Sequence, residues 1–141
     1  MENNKNSTEN PNAWTFFADK SLLAAETLID KAELSGEVIF LSQQAVEKYL
    51  KAFLAKNKIL IKKTHDLVDL YSEVRNVKDW DLDEEMLQEL KDLYVESRYP
   101  CNVGFLEEGS LPTSEEAQSY LDFAKKVAGI VKAELEPNDA K

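Results

Sequence analysis

Apolar residues recur along most of the chain at the spacing of an α-helix, and this periodicity constrains the fold more than any other feature. The strongest case is the segment from about 37 to 56, whose apolar residues follow an i, i+3, i+4, i+7, i+8 pattern: Val46, Tyr49, Leu50, Phe53 and Leu54. Only four glycines and four prolines interrupt the chain, and alternating runs of β-branched residues are missing. The sequence therefore predicts an all-α fold.

Four further segments show helical spacing. The first runs from about Ala13 to Glu33, and Gly36 is expected in the turn that follows it. Its predicted core-facing residues are apolar or small: Trp14, Phe17, Ala24, Ala25, Leu28 and Ala32. The third predicted helix begins at Thr64, whose hydroxyl suits an N-cap.

The last two helices have clear boundaries. One runs from about Glu84 to Arg98 and is ended by Pro100, which disfavours helical geometry in the residue before it. The other starts at Thr113, where the sequence TSEE is typical of a capping box, and its apolar stripe continues to Leu135. Together the five segments predict a single helical domain at residues 13–136, with a flexible arm at 1–12 and a tail at 137–141.

The charge pattern limits which partners the chain can bind. The net charge is −10, which argues against a general nucleic-acid coat protein because phosphates are neutralised mainly by lysine and arginine. However, residues 48–65 contain six lysines and no acidic residue. Such a local patch can hold one nucleotide or a short RNA while the acidic remainder repels duplex DNA, or it can be a solvated loop.

The expected compartment is the cytoplasm. Cys101 is the single cysteine, so the chain cannot form an internal disulfide. Residues 1–12 lack the apolar run that a signal peptide needs, and the longest uninterrupted apolar stretch, VIFL at 38–41, is far too short to span a membrane. The sequence also has no glycine-rich phosphate loop, nucleophile elbow, CxxC or histidine pair at metal spacing, so we expect neither a cofactor nor a metal.

Two places remain as candidate binding surfaces. On the second helix Gln44, Lys48 and Lys51 share one side, which predicts a polar strip facing water or a partner. At the end of the fourth helix, Arg98 offers a planar five-donor fork beside Tyr99, whose ring can stack on a base. The plainer alternative for Arg98 is a cation that offsets the negative end of the helix dipole.

His65 is the only histidine, within the sequence KKTHDL at 62–67. It is either part of a helix start without a chemical task or a hydrogen-bonding group of the binding site.

The sequences FLSQQAVEKYLKAFLAKNKI, KTHDLVDLY and SRYP, followed by a long amphipathic helix, resemble the HEPN family, named for nucleotide binding in higher eukaryotes and prokaryotes. The likeness extends over about residues 13–135. It implies an up-and-down bundle of about five helices, a homodimer with a cleft at its interface, and a minimal nucleotidyltransferase as partner in a toxin–antitoxin-like pair.

Many HEPN proteins are ribonuclease toxins with an arginine followed after four to six residues by a histidine. Here no histidine follows Arg98, so the usual proton-transfer group is missing. We therefore expect a non-catalytic module that binds a nucleotide or a partner nucleotidyltransferase, with Lys48, Lys51, His65, Arg98 and Tyr99 at the site. The alternatives are a divergent metal-independent ribonuclease that uses Arg98 and His65, and a dimerising scaffold with Gln43 and Gln44 at its interface.

Overall fold

A computed structural model of the chain describes residues 10–98 and 112–136, and all regular structure in these two ranges is helical. The helices are α1 (Pro11–Leu28), α2 (Ser35–Lys56), α3 (Leu67–Arg75), α4 (Glu84–Arg98) and α5 (Ser114–Leu135), with a 3₁₀ turn at Ala32–Leu34. The predicted all-α fold is confirmed, and α4 has the predicted bounds. None of the helices in the described ranges has the length and apolarity to cross a bilayer.

Helix α2 lies at the centre of the bundle. It packs against each of the other four helices, and 15 of its 22 residues are buried. Its apolar side chains supply much of the core, together with residues of α3, α4 and α5; the largest fully buried ones include Tyr49, Leu50, Leu54, Leu70, Leu87 and Leu121. A helix covered on several sides has little surface left for water, so its polar residues must find partners inside the protein.

The first two helices of the bundle run in opposite directions. Between α1 and α2, Trp14 lies near Lys51, whereas Ser21 lies near Lys48. Higher numbers in α1 therefore meet lower numbers in α2.

The fifth helix is also antiparallel to α1. Lys132 pairs with Asp19 at 2.9 Å, and Lys125 pairs with Glu26 at 3.4 Å. Lys132 also lies 6.0 Å from the ring centroid of Tyr49, a core residue of α2. These contacts tie α5 to both helices of the first hairpin.

The first helix differs from its prediction. It begins at Pro11, two residues early, because the side chain of Asn10 caps it by accepting the amide hydrogen of Asn12 at 2.8 Å. It ends at Leu28, and the predicted last turn is replaced by the 3₁₀ turn that leads into α2. The prediction that Gly36 lies in the turn is wrong, since α2 already begins at Ser35.

The face that α1 turns to the core is narrower than predicted. The buried residues are small, namely Ala18, Ser21 and Ala25, which allows α1 and α2 to approach closely. Phe17, predicted to be in the core, is 52% exposed because it lies one position away from this small-residue face.

Helix α3 begins two residues later than the sequence predicts. Asp66, rather than Thr64, is the N-cap, and its carboxylate accepts the amide hydrogen of Asp69 at 3.1 Å. The hydroxyl of Thr64 instead accepts the amide hydrogen of Asp66 at 3.0 Å, which closes a turn just before the helix. His65 therefore lies outside the helix, in the connection from α2. For α5 the predicted capping box of Thr113 is confirmed.

The C-terminal end of α2 is closed by a residue in the left-handed conformation. Lys58 has a φ of 60°. Its amide donates to the carbonyl oxygen of Ala55 at 3.0 Å, and the amide of Ile59 donates to that of Leu54 at 2.9 Å. These two bonds form a Schellman motif, whose left-handed position is usually glycine.

Candidate functional site

A buried carboxylate lies at the centre of the polar residues of α2. Glu47 is 4% exposed. Its Oε2 accepts a hydrogen bond from Nζ of Lys51 at 2.8 Å, and its Oε1 lies 3.0 Å from Nδ1 of His65. A charged group at this depth is tolerated only when it is paired. We define the polar site as the group of side chains around Glu47: Gln43, Gln44, Glu47, Lys48, Lys51 and His65.

The connection between α2 and α3 brings His65 to this carboxylate. Residues 57–66 run back along α2, so that His65 reaches the level of Glu47, roughly 13 Å from the end of the helix. Nε2 of Gln43 donates to the carbonyl oxygen of His65 at 3.3 Å, and Nε2 of Gln44 donates to Oε1 of Gln43 at 2.8 Å. Helix α2 thus holds both the backbone and the ring of His65, while 55% of the side chain is exposed.

Lys51 has a structural partner on each side of its ammonium group. Its side chain is only 8% exposed and pairs with Glu47. Its Nζ also lies 5.3 Å from the ring centroid of Trp14 on α1, within cation–π distance. The prediction that Lys51 faces outward is wrong, because α1 covers this side of α2. Its charge neutralises the buried carboxylate.

Lys48 directly follows Glu47 on α2 and is half-buried. Its Nζ donates to the hydroxyl of Ser21 at 3.5 Å, a long contact that leaves the ammonium weakly held. Burial lowers the pKa of Lys48 below its usual value, and Lys51 lowers it further, while Glu47 opposes the change. A neighbouring anion would stabilise the charged form of such a group.

The basic segment of the sequence divides into engaged and exposed lysines. Besides Lys51, Lys62 is engaged, since its Nζ lies 3.1 Å from Glu73 and 3.7 Å from Asp69. The pKa of Lys62 is raised, mainly by its hydrogen bond to Glu73. Three others have exposed side chains on α2 or the connection after it: Lys56, Lys58 and Lys63. The positive surface is therefore smaller than six lysines suggest.

Two predicted site residues, Arg98 and Tyr99, belong to the end of the fourth predicted helix, and the structure describes only the backbone of Arg98. Nζ of Lys91 on α4 lies 3.1 Å from a carboxylate oxygen of Asp66, the N-cap of α3. This ion pair places α4 beside the start of α3, and Asp66 directly follows His65 in the sequence. Arg98 is the last residue of α4, two turns after Lys91, or roughly 10 Å along the axis. Its side chain is outside the described part of the structure, as are residues 99–111, which include Tyr99 and Cys101.

The structure thus brings together five of the seven predicted site residues. Lys48, Lys51 and His65 lie around Glu47, and so do the two glutamines predicted for a dimer interface. Gln43 is fully buried, and both amides form hydrogen bonds inside the chain.

Sequence reasoning missed Glu47, the residue that organises the site. The signal was present, because Gln43, Glu47 and Lys51 follow one another at four-residue spacing and so lie along one side of a helix. A glutamate followed by a lysine at i+4 is usually a solvated pair, and nothing in the spacing shows that α1 covers it. The contact with His65 joins residues 18 apart, which periodicity does not predict.

The chemistry available at the polar site is hydrogen bonding and charge. A buried carboxylate, an oriented imidazole and a half-buried ammonium can hold a polar ligand at the exposed side of His65. Within residues 10–98 and 112–136, no group of three His, Cys, Asp or Glu side chains is arranged to hold a metal ion.

Comparison with known proteins identifies a family. The model of the HEPN domain matches residues 12–134. The crystal structure of TT1696 from Thermus thermophilus is similar, with a TM-score of 0.70 and 24% identity over 89% of this chain and 98% of that one. That of ST0689, an archaeal HEPN homologue, has a TM-score of 0.63 and 21% identity over 90% of this chain and 98% of the other. No protein of curated function matches.

Proposed function

Since the chain belongs to the HEPN domain family, we propose that it is a non-catalytic module that binds a nucleotide or a short RNA at the polar site. The observation that supports this proposal best is the contact between Glu47 and His65. A buried carboxylate holds one ring nitrogen at 3.0 Å, while more than half of the His65 side chain is exposed. Fixing a polar side chain in advance lowers the entropy that ligand binding costs.

Lys48 is the cation that we assign to the ligand's phosphate. Lys48 is half-buried, and its ammonium group makes a long contact with the hydroxyl of Ser21. By contrast Lys51 is committed to Glu47, so we expect it to support the site rather than touch the ligand. Arg98 and Tyr99 remain predictions, as a second phosphate contact and a stacking platform.

The absence of a histidine after Arg98 in the sequence is the reason to expect binding without cleavage. The proposed biological setting is a homodimer that works with a minimal nucleotidyltransferase, as the family resemblance implies. If the neighbouring reading frame encodes such an enzyme, co-expression should give a complex that survives size-exclusion chromatography. Separate elution of the two proteins at micromolar concentration would argue against the partnership.

A thermal-shift series tests the binding directly. Wild type is heated with each of the four ribonucleoside triphosphates, and a ligand present at a hundred times its Kd should raise the melting temperature by about 10 °C. Lys48→Ala should lose most of this shift. Lys126→Ala is the matched control, because it removes an exposed lysine from α5, a different helix. An unchanged melting temperature with every nucleotide would remove the basis for the proposal.

The second candidate is a metal-independent ribonuclease. The observation in its favour is again the Glu47 contact, since a carboxylate that orients an imidazole is the usual support of a general base. This candidate predicts that purified protein cleaves single-stranded RNA, and that His65→Ala abolishes cleavage while the circular dichroism spectrum stays helical. RNA that remains intact after long incubation with concentrated protein would exclude it.

A further inference from the structure

We infer that a cleft at the C-terminal end of α2 is a second binding site, for a fatty acid of medium chain length whose carboxylate lies between Lys56 and Lys58. The cleft is separate from the polar site, since Lys56 lies roughly 13 Å along the helix axis from Glu47. The inference therefore does not depend on the proposed nucleotide binding.

Two cavities meet at the end of α2. The first has a volume of about 270 Å³, and its described lining residues are Ala55, Lys58, Ile59 and Leu60. The second has a volume of about 340 Å³ and extends to the start of α1 and the end of α5. Its described lining residues are Pro11, Asn12, Ala55, Lys56, Lys58 and Leu135. Because Ala55 and Lys58 line both cavities, the two form one continuous cleft between the ends of three helices.

Much of the lining of the cleft is apolar. Ala55 is buried, and Ile59 and Leu135 pack against the core while they also border the cleft. Leu60 is 84% exposed, the highest value among the exposed large hydrophobic residues of the described ranges. An alkyl chain in the cleft would cover apolar surface that is now in contact with water, which favours binding. The first cavity, at about 270 Å³, holds roughly nine carbon atoms if each takes the ~30 Å³ of a water molecule in the liquid.

Three hydrogen-bond donors border the same cleft. The ammonium groups of Lys56 and Lys58 and the side-chain amide of Asn12 form no hydrogen bond or ion pair within residues 10–98 and 112–136. Among the described lining residues there is no carboxylate, so nothing in this part of the cleft neutralises the two lysines. Two ammonium groups and an amide can all donate to the oxygens of an anion.

The plainer role for these lysines is to offset the negative end of the α2 dipole. Lys56 lies in the last turn and is placed for that role. Lys58 follows the end of the helix with a φ of 60°, a conformation that glycine adopts without the strain of a side chain. Local stability therefore does not explain a lysine at this position. Backbone strain of this kind is concentrated at binding and active sites.

The helix ends favour a head group with a single charge. The C-terminal ends of α2 and α5 both border the cleft, and the C-terminus of a helix carries partial negative charge. A doubly charged phosphate is repelled there more strongly than a singly charged carboxylate. The ligand that fits both the apolar lining and the donors is therefore an alkyl chain that ends in a carboxylate.

A titration of the full chain with sodium octanoate, followed by ¹H–¹⁵N correlation spectra, tests the site. We expect saturable shifts of the amide resonances of Ala55, Lys58 and Ile59. Each methylene group that leaves water tightens binding by up to about fourfold, so octanoate should bind up to about 15-fold tighter than hexanoate. Acetate has no alkyl chain beyond its methyl group and should cause no saturable shift.

Variants of the lysines test how the carboxylate is held. Lys56→Gln combined with Lys58→Gln removes both charges and keeps a long polar side chain at each position, and it should weaken octanoate binding by at least about 10-fold. Lys63→Gln is the matched control, because it removes an exposed lysine of the same connection and should leave the affinity unchanged. Leu60→Ala should reduce the advantage of octanoate over hexanoate. The dispersion of each spectrum shows whether the variant is folded.

Several outcomes would overturn the inference. One is the absence of shifts at millimolar octanoate, and another is shifts that acetate produces equally. An affinity for octanoate that the double lysine variant retains would show that the carboxylate is not held in this cleft. N-acetylleucine offers the same carboxylate on a shorter apolar group, as the end of a peptide does. Tighter binding of N-acetylleucine than of octanoate would assign the cleft to a peptide and refute the fatty-acid assignment.

Discussion

Replacing Lys51 by methionine isolates the energetic role of the buried ion pair at the polar site. The side chains of Lys51 and Glu47 are only 8% and 5% exposed, and their charged atoms lie 2.8 Å apart. Methionine has nearly the same length and no charge, so the variant fills the same space. It leaves the carboxylate of Glu47 buried with His65 as its remaining charged or polar partner in the polar site.

The expected loss in the free energy of unfolding follows from the contacts that Lys51→Met removes. Removing one partner of a buried pair typically destabilises a protein by about 3–5 kcal/mol, because the other charge is left uncompensated. His65 can compensate in part at 3.0 Å, which favours the lower end. The variant also loses the cation–π contact with Trp14, worth about 1 kcal/mol. We therefore expect Lys51→Met to lower the free energy of unfolding by about 3–4 kcal/mol.

A second variant shows whether the cost comes from the stranded charge. Glu47→Leu combined with Lys51→Met removes both charges, and such replacements are often neutral, so the double variant should lie within about 1 kcal/mol of wild type. Urea unfolding followed by circular dichroism gives the free energies, with a constant m-value as the control for two-state behaviour. A double variant that is less stable than Lys51→Met would refute the reasoning.

Three further predictions concern stability, each measured by urea unfolding. Lys58→Gly should stabilise by about 1 kcal/mol, since glycine adopts the left-handed conformation without the strain of a side chain, and Lys58→Ala should not. Ser42→Ala should be neutral or stabilising by up to about 1 kcal/mol, because the buried hydroxyl has no hydrogen bond within residues 10–98 and 112–136. For Asp66, burial raises the pKa, but hydrogen bonds from the Asp69 amide and Lys91 outweigh it, so the pKa is lowered. Its ionised form therefore stabilises the fold above pH 4, and the stability difference between wild type and Asp66→Asn should shrink as the pH falls below the ordinary value of 3.8; a difference independent of pH would contradict this.

The parts of the fold that periodicity predicts are those in which one side of a helix is buried. The α4 boundaries and the capping box at Thr113 depend on local chemistry, and the sequence contains that chemistry. In α1 the prediction failed for Phe17, because the face buried against α2 consists of small residues, such as Ala18, rather than the largest apolar ones. Hydrophobicity alone does not reveal a face selected for close approach of two backbones.

Most members of the candidate site were predictable from the sequence, but Glu47 and the arrangement of the side chains were not. QQAVEK and KTHDL contain Lys48 and His65, and the helical projection of the polar strip added Lys51. The structure places all three around one residue, Glu47. The position of Lys51 around α2 led to the prediction that its side chain faces outward. A projection of one helix does not show which other helices pack against it. Only the return of residues 57–66 along α2 brings His65 to the carboxylate.

The central claim is that a nucleotide binds beside the exposed imidazole of the polar site. The most direct measurement is a titration of ¹⁵N-labelled protein with ribonucleoside triphosphates while the ring resonances of His65 are followed at constant pH. The account predicts a saturable shift of these resonances that Lys48→Ala weakens. Ring resonances that do not move at millimolar nucleotide, or that move equally with inorganic phosphate alone, would contradict it.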